Sequence, residues 1–177
     1  MNNNILQDRE KRYWEILSLI SKYRVPVICG KINYPGDDKN TLEAQNAFRI
    51  LRQLLTEKFA EDSMHTQILT GDDGSSILIA TSLNPLEAKK IAVFIENSHP
   101  LGRIFDIDVY GAEGVPIGRE NLGMESRRCI ICNEDARVCM RTACHSFQEV
   151  IDKVNELIQQ CNLHQASTTR GTVKIYY

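Results

Sequence analysis

Asp106 and Asp108 flank Ile107 inside an alternating run, 103–110, that reads as a β-strand. Residues two apart on a strand point to one face, so these carboxylates would stand side by side. Like charges that close repel unless a cation lies between them. Magnesium is that cation in phosphoryl and nucleotidyl transfer, where carboxylates hold metals against phosphate oxygens. A solvent-facing strand carrying two acids would give the same triplet. The neighbours favour the first reading. His99-Pro100-Leu101-Gly102-Arg103 leads into the strand, with Gly102 able to permit close backbone approach. Arg119, Arg127 and Arg128 follow within a few turns of chain. Guanidinium forks match phosphate, although a lone arginine is as often one half of a surface ion pair.

A second group lies just downstream. Cys129-x2-Cys132 is half of a zinc knuckle, and Cys139 with His145 would complete four ligands. Cys144 is an alternative fourth ligand. Buried structural thiols and a redox pair are the competing readings. Arg141 sits inside the same segment. Cys29 and Cys161 read as core residues, and His65 and His164 as surface residues.

These groups need elements to position them. Leu6, Tyr13, Ile16, Leu17 and Ile20 predict a helix over 6–22 with that face inward, and Trp14 as a packing residue. A β-rich run over 25–32 stops at Tyr34-Pro35-Gly36. Asn40 or Thr41 caps a helix carrying Ala44, Phe48, Leu51, Leu55 and Phe59 that ends near Glu61. Gly71-Asp72-Asp73-Gly74 joins two strands as a hairpin, the second over 76–81. Asn84-Pro85 opens a helix with the stripe Ala88, Ile91, Ala92 and Ile95. The strand 103–110 turns through Gly111-Ala112-Glu113-Gly114 into a short partner over 115–118.

The resulting order is strand, helix, strand, strand, helix, strand. It predicts a ferredoxin-like βαββαβ antiparallel sheet with both helices on one face. A short helix should start near Asn133 or Glu134. Phe147, Val150, Ile151, Val154, Leu157, Ile158 and Cys161 predict a last, docked helix. The stretch 162–171 reads as a loose polar tail, and 172–177 as an edge strand or disorder. The expectation is one α+β domain over 1–177, its core about 5–161, with an added β-hairpin and a Cys-rich C-terminal helical segment.

Bulk properties narrow the classes. A chain of 177 residues can bury about 70% of its unfolded surface without disulfides. Its formal charge of −2 argues against a non-specific nucleic-acid binder. No apolar run approaches the ~20 residues of a membrane span, and the start Met1-Asn-Asn-Asn is not a signal peptide. Six cysteines then read as reduced thiols in the cytoplasm. Walker, dinucleotide and nucleophile-elbow motifs are absent.

His99-Pro-Leu-Gly-Arg103, Asp106-Ile-Asp108-Val, Arg119, and Arg127-Arg-Cys129-Ile-Ile-Cys132 with Ala136, Cys139, Arg141 and His145 together resemble the CitX-type family. These are the apo-citrate lyase phosphoribosyl-dephospho-CoA transferases, or citrate lyase holo-acyl-carrier-protein synthases. The Pro35-Gly36 turn followed by Lys39 is similar as well, and the resemblance spans about 5–160. It implies a donor, triphosphoribosyl-dephospho-CoA, and an acceptor serine on the citrate lyase acyl carrier protein subunit, with diphosphate leaving. On that reading Asp106 and Asp108 hold Mg²⁺. Arg103 with Arg127 or Arg128 neutralises the leaving diphosphate, and His99 takes the serine proton. Gly102, Lys39, Arg119 and Arg141 complete the substrate contacts, with Zn²⁺ at the cysteines as a structural ion. The competing class is a non-catalytic zinc-knuckle module or adaptor for a carrier protein, which has no need of Asp106 and Asp108.

Overall fold

The structure, a computed structural model, describes residues 3–170. The strand or disorder expected over 172–177 and the side chain of His164 lie outside what it describes. Helix α1 spans Asn3–Tyr23, followed by β1 (Val27–Ile32), α2 (Leu42–Lys58), β2 (Ser63–Leu69) and β3 (Ser76–Thr81). Then come α3 (Pro85–Ser98), β4 (Phe105–Tyr110), α4 (Ala136–Thr142) and α5 (Phe147–Arg170). The sheet order is β2-β3-β1-β4, and every neighbouring pair is antiparallel. That is the expected ferredoxin-like arrangement. It leaves β4, the strand with the carboxylate pair, at an edge.

Local chemistry explains the boundaries. The Thr41 hydroxyl accepts the Ala44 N–H and starts α2, and Asn84 with Pro85 starts α3. Ile28, Ile77, Ile79, Phe105, Ile107 and Val109 form one sheet face. On it lie Ala47, Leu51 and Leu55 of α2 with Ala88, Ala92 and Ile95 of α3. A side chain at Gly30 would overlap Leu55, so this glycine sets how closely α2 approaches β1. Helix α5 packs on α2 through Val154, Ile158 and Cys161, and Asn155 accepts the Tyr34 hydroxyl at 2.9 Å.

Helix α1 covers the other face, with Ile16, Leu19 and Ile20 on Val27, Cys29, Leu78 and Ala80. Its buried stripe is rotated from the one expected: Ile5 and Arg12 turn inward, while Leu6 and Tyr13 are exposed. The reason is an ion pair that a hydrophobic pattern cannot register. Arg12 and Arg9 reach the buried Asp73 of the β2–β3 turn at 2.5 and 3.0 Å. Burial alone would raise the Asp73 pKa, but the two guanidiniums outweigh it and hold the carboxyl below its usual range. Trp14 is 62% exposed and packs in no core, contrary to expectation.

Three further boundaries differ. Strand β4 begins at Phe105, because 100–104 forms a tight turn. The partner strand over 115–118 reduces to one bridge, Tyr110 with Pro116, since proline has no N–H for a ladder. Helix α5 continues to Arg170, through the stretch expected to be a loose tail. No helix among the described residues is long and apolar enough to cross a membrane.

Candidate active site

Strand β4 alternates as expected: Phe105, Ile107 and Val109 are buried, and Asp106, Asp108 and Tyr110 face the other way. The register with β1 sets Lys31 opposite Asp106 and Cys29 opposite Asp108. Lys31 Nζ lies 3.0 Å from Asp106 Oδ2. Burial would raise the Asp106 pKa, but Lys31 outweighs it and lowers the carboxyl. Asp108 has no ion-pair partner among the described residues. Burial and then the Asp106 charge push its pKa up. The two acids are thus shifted in opposite directions, Asp106 down by its lysine and Asp108 up by burial.

A cleft of about 760 Å³ runs along this edge. Asp106, Asp108, Arg103, Arg119, Arg127 and Arg128 all line it, together with Cys129, Cys139 and His145, so nine of the expected residues do converge. Arg103 makes no ion pair among the described residues. Burial, followed by the charges of Arg127 and Arg119, lowers its pKa. Such crowding of cations is costly and suits a site that receives phosphate. Arg119 and Arg127 both bind Glu96, Arg119 at 2.7 Å. Arg128 pairs with exposed Glu125 at 2.5 Å.

Other expected residues stand elsewhere. His99 does not line the cleft. Its Nδ1 accepts the Leu101 N–H at 3.0 Å, its ring stacks on Phe105, and burial lowers its pKa. It builds the turn that delivers Arg103. A side chain at Gly102 would overlap the Glu96 carbonyl, so the close approach there is protein backbone. Lys39 bends inward to donate to the Tyr34 carbonyl. Arg141 is exposed on α4 and outside the cleft lining.

Sequence reasoning missed Lys31, Lys89 and Glu96. Lys89 and Glu96 are 5% and 4% exposed, two helical turns apart on α3. Lys89 Nζ donates to the Ile107 carbonyl and Glu96 Oε1 accepts the Ile107 N–H, each at 3.0 Å. They satisfy the outward backbone groups of an edge strand, which would otherwise lack partners. The only signal was two ionisable residues bordering the apolar stripe of α3.

The cysteine segment forms one wall of the cleft. The ligand atoms of Cys129, Cys132, Cys139 and His145 lie within 4.8 Å of one another. Cys132 Sγ is 3.4 Å from Cys139 Sγ and 3.2 Å from His145 Nε2. Tetrahedral zinc with bonds of about 2.3 Å to sulfur needs separations of this size. The Ile131 N–H points at Cys129 Sγ from 3.4 Å. Burial would raise the Cys129 pKa, yet hydrogen bonds from the Cys132 and Ile131 backbone outweigh it and bring it to about 7. The donor set can therefore hold a tetrahedral ion such as zinc. Cys144 is exposed and outside the group. The bend that brings in His145 is at Ala143, whose φ of 48° is left-handed. That conformation costs a non-glycine residue about 1 kcal/mol.

Fold and cleft together define a class: an α+β protein with a ferredoxin-like sheet, an acidic pair on its edge strand, and arginines and a Cys₃His group around it. Within that class, the chain belongs to the family of apo-citrate lyase phosphoribosyl-dephospho-CoA transferases, whose profile matches residues 2–161. It is 28% identical over 162 residues to a probable apo-citrate lyase phosphoribosyl-dephospho-CoA transferase of Vibrio cholerae, covering 88% of this chain and 89% of that one. A probable member from Streptococcus pyogenes is 29% identical over 161 residues, covering 88% and 84%. The Escherichia coli apo-citrate lyase phosphoribosyl-dephospho-CoA transferase is 25% identical over 167 residues, covering 90% and 91%.

Proposed function

We infer that this chain transfers the phosphoribosyl-dephospho-CoA group to a serine of the citrate lyase acyl carrier protein subunit. The donor is triphosphoribosyl-dephospho-CoA. A bond forms between the serine oxygen and the α-phosphorus, the bond from that phosphorus to the diphosphate oxygen breaks, diphosphate departs with the electron pair, and the serine proton is released to solvent. The observation that carries this reading is the Asp106/Asp108 pair inside a cleft walled by five arginines, Arg137 of α4 among them, in a chain of this family.

Catalysis of this kind is positioning plus charge stabilisation. Arg103 makes no ion pair among the described residues and is assigned to the leaving diphosphate. Arg119 and Arg127 share one carboxylate, which leaves guanidinium N–H groups for phosphate oxygens. Arg128 stands at the mouth. The carboxylate pair fits a divalent cation, because Lys31 pairs with Asp106 and Asp108 has no ion-pair partner among the described residues. Magnesium held there would supply positive charge at the phosphate oxygens. Zinc at Cys129, Cys132, Cys139 and His145 is assigned a structural part, since all four protein ligands are present. His99 is assigned to the turn before β4 rather than to the serine proton. Action in the cytoplasm, where thiols stay reduced, suits this thiol group.

Asp106→Asn tests the assignment. The Lys31–Asp106 pair is partly exposed, and such a pair is worth at most about 1 kcal/mol, so the variant should stay folded. Transfer should fall at least 100-fold at saturating donor. Wild-type turnover would sink the metal role of the pair.

A further inference from the structure

We propose that Glu96 is a positioning residue for the transfer, tying the carboxylate strand and two of the cleft's arginines to one rigid helix. The proposal rests on the transferase reading above. Each contact of the carboxylate has an assigned use. Oε1 accepts the N–H of Ile107, the residue between Asp106 and Asp108, at 3.0 Å. Arg127 binds the same oxygen, and Arg119 Nη2 donates to Oε2 at 2.7 Å. Arg119 Nη2 also lies 3.4 Å from Asn97 Oδ1, on the next residue of α3. A single buried carboxylate therefore joins β4, the 119–127 connection and α3.

The edge position of β4 makes this joint necessary. Among the described residues, Asp106 and Asp108 belong to a strand with a neighbour on one side only, and the backbone of Ile107 points to the other side. Without side-chain partners there, the strand could shift and the acidic pair with it. Lys89 holds the Ile107 carbonyl at 3.0 Å, so both polar groups of that residue are anchored to α3. Arg119 and Arg127 come from a connection with little regular structure, a single turn of 3-10 helix over Glu120–Leu122. Their forks are aimed because Glu96 holds them. The Gly102 backbone packs on the Glu96 carbonyl and fixes the helix end itself. Misplacing reacting groups by about 1 Å can cost 100-fold in rate.

Glu96→Gln preserves size and an oxygen for the Ile107 N–H but loses the charge that orients both arginines. Two readouts are compared on folded protein: steady-state transfer, and calorimetric binding of inorganic tripolyphosphate in magnesium buffer. The expected result is a kcat lower by 30- to 100-fold, a donor KM raised, and tripolyphosphate bound at least 10-fold more weakly. A merely structural role would lower the melting temperature and leave kcat, KM and tripolyphosphate affinity of the folded fraction within twofold of wild type, which overturns the proposal. If Glu96→Gln does not fold, Glu96→Asp is measured instead. It keeps the charge but withdraws it by one methylene, and the same losses support the proposal while wild-type values overturn it. If the wild type binds tripolyphosphate but transfers nothing, the transferase reading falls, and the binding comparison still decides the role of Glu96.

Discussion

A side chain at Gly102 would run into the backbone carbonyl of Glu96, which a rigid helix end cannot move aside. Gly102→Ala should therefore cost about 3 kcal/mol of stability, as overpacking against backbone does, read from the denaturant midpoint. If the glycine instead admitted a phosphate, alanine would leave stability intact and raise the donor KM. The glycine was legible in the sequence as a point of close approach, but what approaches it was not. The same division holds across the site. Asp106 and Asp108 were legible because strand alternation fixes their common face. Arg103, Arg119, Arg127 and Arg128 were legible as arginines near that strand. Lys89 and Glu96 were not, because their use depends on β4 being an edge strand, which only the tertiary order decides. Lys39 and His99 carry suitable chemistry but spend it on the Tyr34 carbonyl and the Leu101 N–H.

Most elements followed from periodicity and caps, including the strand order, and the exceptions have separate local causes. The inward face of α1 is set partly by the Arg12–Asp73 pair, which no apolar pattern records. The segment between β4 and α5 has little regular structure and a small apolar content, so packing alone does not specify it. Asn133 and Ala143, both at positive φ, shape the chain around the Cys₃His group. Strain of that kind persists where something else holds the segment. Freshly purified protein never exposed to chelator should thus carry about one equivalent of zinc per chain, as expected for a four-ligand site. Metal removal should raise hydrogen exchange in 127–145 while the sheet stays protected. Less than about a tenth of an equivalent in metal analysis would retire the zinc assignment and leave the thiols as packing residues.

At the scale of the molecule, the ferredoxin-like sheet supplies the acidic pair, α3 anchors it, and the cysteine segment closes the cleft with arginines. Neither half explains a transferase alone. An adaptor could use the Cys₃His wall, yet it would have no need of the Asp106/Asp108 pair in the cleft. The account stands or falls on one measurement: the intact mass of the citrate lyase acyl carrier protein subunit after incubation with this protein, triphosphoribosyl-dephospho-CoA and magnesium. The carrier should gain the mass of one phosphoribosyl-dephospho-CoA group at a serine, with one diphosphate released per carrier. An unchanged carrier mass with the donor intact would contradict it.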